Sequence, residues 1–145
     1  MNAHRTFVRV ALALQTLTLF LQATTAGLLL TTSYGETLHG VGARVMYGAT
    51  MLYVLAAVLA WRPGGGSPRP IAYSTGFLLL ASAQVVLGIM REPALHVPLG
   101  VLMFGLSVLD LGRVVTGPAR ARSDAPIAPS AGRPTDAWTG PGARS

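Results

Sequence analysis

The sequence contains no cysteine and no lysine, and only five acidic residues among 145. Without cysteine there is no disulfide, no thiolate nucleophile, no zinc–cysteine centre and no thioether-linked haem. Charged residues make up 11% of the chain, against about 25% in a soluble domain. No GxGxxG or phosphate-binding loop occurs, and the Gly64–Gly66 run reads as a turn. What remains is strongly apolar: 51% hydrophobic residues and a mean hydropathy of +0.51. All eleven basic residues are arginine, giving a net charge of +6. In a polar protein that charge would suggest nucleic acid. Here the arginines flank apolar runs, which points to a lipid bilayer as the partner and not to nucleic acid.

Four apolar stretches, at about residues 10–30, 41–61, 71–90 and 95–115, approach or exceed the ~20 helical residues needed to cross hydrocarbon. The breaker cluster from Arg62 to Pro70 separates the second from the third, and short connections join the others. Pro98 is expected in the first turn of the fourth helix, where its missing N–H costs least. The expected organisation is an N-terminal cytoplasmic tail (1–9), a four-helix transmembrane domain (10–115) and a disordered cytoplasmic tail (116–145), the last on its Pro, Ala, Gly, Arg and Ser composition. With the N-terminus inside, Arg5, Arg9, Arg62, Arg69, Arg113, Arg120 and Arg122 lie near the cytoplasmic face and only Arg91 falls outside. That bias places both termini in the cytoplasm of a cell expected to hold this chain as a multi-pass plasma-membrane protein. A cleavable signal peptide fits less well, because the first apolar run is longer than the roughly 7–15 residues of a signal core.

The second and fourth segments are similar when aligned on their histidines. His39, Met46, Gly48 and Leu52 coincide with His96, Met103, Gly105 and Leu109, while Tyr47, Thr50 and Ala43 meet Phe104, Ser107 and Gly100. In the preceding segments, Gln22 and Gly27 resemble Gln84 and Gly88. The expected fold is therefore an all-α membrane protein, a four-helix bundle made of two parallel helical-hairpin repeats about an axis along the membrane normal. That axis sets His39 and His96 at one depth. Residues at offsets of four, seven and eleven share a helix face, so His39, Ala43, Met46 and Thr50 form one stripe and His96, Gly100, Met103 and Ser107 another. Gln22 and Gln84 are expected to turn inward, because a lipid-facing amide is costly.

Two neutral imidazoles facing each other across a bundle are what a bis-histidine haem requires. The expected metal ligands are His39 and His96 and the expected cofactor is haem b, with the other nitrogen of each ring on a loop carbonyl, Glu36 or Glu92. Gly100 and its counterpart leave room beside the histidines. Met46 and Met103, roughly 10 Å along the helix, either meet the porphyrin edge or fill core, and core is the simpler reading. Arg91, at the outer end of the third helix, is suited to haem propionates. Arg44 lies inside the second helix but about 140° off the His39 stripe, suited to a ligand carboxylate or a lipid phosphate. Asp110 is expected to pair with Arg113.

These features resemble one half of the haem A synthase family over about residues 7–115. His39 and His96 match its paired ligand positions, Glu36-Thr37-Leu38-His39 matches its Glu-x-x-His, and Gln84-x-x-x-Gly88 followed by Leu95-His96 is similar to its third and fourth helices. The resemblance implies a haem site near the outer face and a catalytic role for Glu36 in oxidising a haem methyl group. A complete synthase has four such histidines, where this chain has two, and a homodimer would restore the full set. The alternatives for function are electron transfer with a respiratory membrane partner, haem handling, synthase-like chemistry, a cofactor-free subunit or scaffold, and a transporter whose polar path runs through Gln22, Gln84, Arg44 and Asp110.

Overall fold

A computed structural model describes the backbone of residues 3–123 and the side chains of residues 3–116. Its described residues form four helices, α1 (Ala3–Leu29), α2 (Gly35–Trp61), α3 (Arg69–Ile89) and α4 (Pro93–Ser123). Each is long and apolar enough to cross a membrane. Helix α1 begins earlier than the apolar run, because residues 3–9 contain neither proline nor glycine to stop it. Arg5 and Arg9 therefore stand on the helix instead of in a tail. Helix α4 also continues past residue 115 in its backbone, and the rest of the expected tail, 124–145, lies outside the described residues.

Local chemistry sets the helix ends. Gly35 starts α2 beneath the carbonyl of Leu28, in a space a Cβ would have to share with backbone. At the end of α2 the amides of Gly64 and Gly66 return to the carbonyls of Leu59 (3.1 Å) and Ala60 (2.9 Å), and Gly65 takes the left-handed conformation. Helix α3 closes with Glu92 N–H donating to the Leu87 carbonyl at 3.0 Å. Arg91 occupies the left-handed position there, with φ 55°, where glycine is the usual occupant. Helix α4 starts at Pro93, so Pro98 stands five residues in. This corrects its expected first-turn place: the ring leaves the Ala94 carbonyl without its i→i−4 donor, in the second turn of the helix.

The helices pack in a ring. Helix α1 packs along α2 and α4 and α3 along the same two, while the diagonal pair α2 and α4 stands farther apart and meets through long side chains such as Tyr53 and Asp110. The α1–α2 pairing is the most extensive and the α3–α4 pairing the least. The exterior is apolar on every helix, with Leu17, Met51, Leu79 (68% exposed) and Val101 (68% exposed) as examples. The interior is mixed. Gln15, Thr50, Ser74, Gln84, Ser107 and Asp110 are buried, alongside Leu12, Met46, Tyr53, Phe77 and Met103. Apolar side chains on the outside of every helix and polar ones within depart from the soluble pattern.

Candidate functional site

The site sits at the end of the bundle that carries the α1–α2 and α3–α4 connections. His39 occupies the second turn of α2 and His96 the first turn of α4, on helices that face each other diagonally. The two stripes read from the sequence turn inward: Met46, Thr50, Met103 and Ser107 are buried, and His39, Ala43, His96 and Gly100 are half-buried. The two imidazoles meet across the bundle, with ring centres 6.1 Å apart and planes at 67°.

Hydrogen bonds orient both rings. His96 Nδ1 lies 3.1 Å from the backbone carbonyl of Gln84, and Gln84 Nε2 donates to the His96 carbonyl at 3.0 Å. A carbonyl only accepts, so the His96 proton is on Nδ1 and the Nε2 lone pair is free. His39 Nδ1 lies 3.1 Å from Thr25 Oγ1. The Thr25 hydroxyl has its own acceptors in the Gln22 carbonyl (3.1 Å) and Gln22 Oε1 (3.2 Å). The Thr25 hydroxyl thus links His39 Nδ1 to Gln22 and fixes the orientation of the ring. Neither Nε2 has a hydrogen-bond partner among the described residues.

The two glutamines pack alike. Gln22 lies against Gly42 of α2, where a Cβ would overlap its Oε1, and Gln84 lies against Gly100 of α4, where a Cβ would stand 2.9 Å from its Nε2. Both amides thus fill space that glycine leaves on the neighbouring helix. Gln84 Oε1 is buried without a partner. Gly88, beside His96 Cε1, borders the same space on α3.

Several expected contacts change place. Neither Glu36 nor Glu92 holds an imidazole: both are exposed at the bundle end, and Thr25 and the Gln84 carbonyl do so from within. Met46 and Met103 belong to the hydrophobic core, and Thr50 Oγ1 donates to the Met46 carbonyl at 3.0 Å. Arg91 is exposed in the α3–α4 connection. Arg44 is exposed as well, so no interior path runs through it. Asp110 accepts the Tyr53 hydroxyl at 2.7 Å instead of pairing with Arg113, because its face of α4 turns into the bundle while Arg113 points out. No sequence motif marked Thr25 or Tyr53. The signal available for Thr25 was its place three residues after Gln22, one turn along α1.

A second polar level lies deeper. Gln15 Nε2 donates to Ser107 Oγ at 3.3 Å, and Thr16 and Ser107 share a hydroxyl bond at 2.7 Å. No cluster of three or more His, Cys, Asp or Glu side chains occurs among the described residues. No family model matches this chain, and neither does any curated protein or solved structure.

Proposed function

We propose that the chain is an integral membrane protein that holds haem b between His39 and His96, near the outer face, in electron transfer or haem handling. The observation that carries this reading is the pair of imidazoles facing each other with ring centres 6.1 Å apart, each with its Nδ1 at hydrogen-bond distance from a neighbouring helix. Two imidazoles on one metal, at ~2 Å per bond, hold their ring centres about 6 Å apart. The donor chemistry fits, since a haem iron takes neutral imidazole with the other ring nitrogen hydrogen-bonded. Helices α2 and α4 stand too far apart for backbone packing and meet here through the two imidazoles, and Gly88 on α3 carries no side chain beside His96. The group would supply a reversible one-electron couple. The residues of the chain orient the ligands, exclude water and, through Arg91, offer a cation to outward carboxylates. The four apolar helices and apolar exterior support membrane insertion. The arginine distribution supports cytoplasmic termini.

In the synthase-like version, Glu36, one helical turn before His39 and exposed at the same end, is the catalytic candidate. Cells supplied with haem O and expressing the protein would then yield haem A. No conversion by the wild type, or unchanged conversion by Glu36→Gln, rejects that version.

A cofactor-free scaffold is favoured by a different observation. The edge-to-face rings and the paired Gln84–His96 bonds already tie α3 to α4 and bring α2 to α4 without a ligand. Purification in mild detergent followed by a visible spectrum decides between the two. The haem reading expects a Soret band and a sharp reduced α-band, both lost in His39→Ala and in His96→Ala. A colourless protein from haem-replete cells rejects it.

A further inference from the structure

The opposite end of the bundle carries a cavity of about 380 Å³ between the start of α1 and the α2–α3 connection, within the ~300–1,000 Å³ range of ligand pockets. It is lined by the cations Arg5 and Arg9, with His4 beside them on α1 and Ser67 from the connection, and by the apolar Val8, Ala60 and Val114. Arg5 and His4 are adjacent on α1, and Arg9 lies one turn beyond Arg5, so both guanidinium groups reach the same mouth. The three glycines of the connection line the hollow without filling it. They are there for the backbone: Gly64 and Gly66 pack where a Cβ would meet the Ala60 carbonyl at 2.6 Å, and Gly65 is left-handed. Their amides are spent on α2 carbonyls, so the anion-binding capacity of this pocket resides in the arginines. No described carboxylate serves them: Glu36 and Glu92 are at the other end of the bundle, and Asp110 is bonded to Tyr53.

From this geometry we infer that the cavity binds the phosphate headgroup of an anionic membrane phospholipid. The inference rests on the membrane reading above but not on the haem. Two guanidinium groups match a phosphodiester in charge and hydrogen-bonding geometry. The apolar lining suits the glycerol and first acyl carbons, and the pocket opens at the bundle end, where a headgroup layer lies. A soluble phosphate would use the same arginines but has nothing to place on Val8, Ala60 and Val114.

Native mass spectrometry of the protein released from mixed phosphatidylglycerol and phosphatidylcholine micelles tests this. Wild type is expected to keep a phosphatidylglycerol adduct in preference to phosphatidylcholine. Arg5→Gln/Arg9→Gln should lose it about tenfold, and Arg5→Lys/Arg9→Lys should keep most of it. Equal retention by the double glutamine variant overturns the proposal. So does full displacement of the lipid by inorganic phosphate, which would make the ligand a soluble anion. Circular dichroism of each variant separates lost binding from lost folding, with the single Arg9→Gln variant, expected to show a partial loss, replacing the double one if that does not fold. Carbonate extraction reads membrane insertion separately: wild type released by carbonate would overturn the membrane reading together with this one, whereas inserted protein without the adduct overturns the pocket alone.

Discussion

Thr25 shows how much a single hydroxyl decides at this site. It is the side chain that orients the His39 ring, linking Nδ1 to Gln22. Thr25→Val keeps the shape and removes the hydrogen-bonding hydroxyl, so haem affinity is expected to fall roughly 10–100-fold, as for other lost ligand-orienting bonds. Titration of the apoprotein with haemin measures this, and unchanged affinity would argue that the ring is held in place by packing alone. Gly100→Leu is a steric counterpart. Its side chain would displace the Gln84 amide, and a loosened His96 should broaden the reduced α-band in the spectrum of the purified variant.

At the scale of elements, the α3–α4 connection and the α2–α4 interior make separable predictions. Arg91 holds a left-handed backbone at the end of α3, so Arg91→Gly should stabilise the apoprotein by about 1 kcal/mol. The same change should weaken haem binding if the guanidinium serves the propionates. Opposite shifts in the apo melting temperature and in haem affinity would establish both roles, whereas parallel shifts would remove Arg91 from the site. Deeper in the bundle, Tyr53→Phe leaves the buried Asp110 carboxyl without its donor. A loss of about 1–3 kcal/mol is expected, read as a lower thermal midpoint in detergent. An unchanged midpoint would mean that water or another side chain satisfies Asp110.

For the whole molecule, the natural absence of cysteine makes topology directly measurable. Ser33 lies in the α1–α2 connection and Ser67 in the α2–α3 connection, so a four-span arrangement puts them on opposite sides. With cytoplasmic termini, an impermeant maleimide added to intact cells should label Ser33→Cys and spare Ser67→Cys. The reverse pattern would invert the orientation and put the histidine site inside the cell, and labelling of both would remove the membrane arrangement.

The helices were legible because their determinants are local: apolar runs of spanning length, a glycine and proline cluster between the second and third, and offsets of four and seven that set one face. The inward stripes of α2 and α4 follow from that periodicity alone, and the structure buries them. The start of α1 and the place of Pro98 were not legible, since helix ends depend on neighbouring turns. Nor were the partners of the polar groups. Sequence proximity pointed to Glu36, Glu92 and Arg113, all of which turn outward. The actual partners, Thr25, the Gln84 carbonyl and Tyr53, stand 14, 12 and 57 residues away from the groups they hold. Four apolar helices with paired histidines follow from short-range pattern. The facing of those rings at 6.1 Å, the hydrogen bond that orients each and the arginine-lined cavity at the far end arise only when the bundle closes, because each needs groups from different helices brought together.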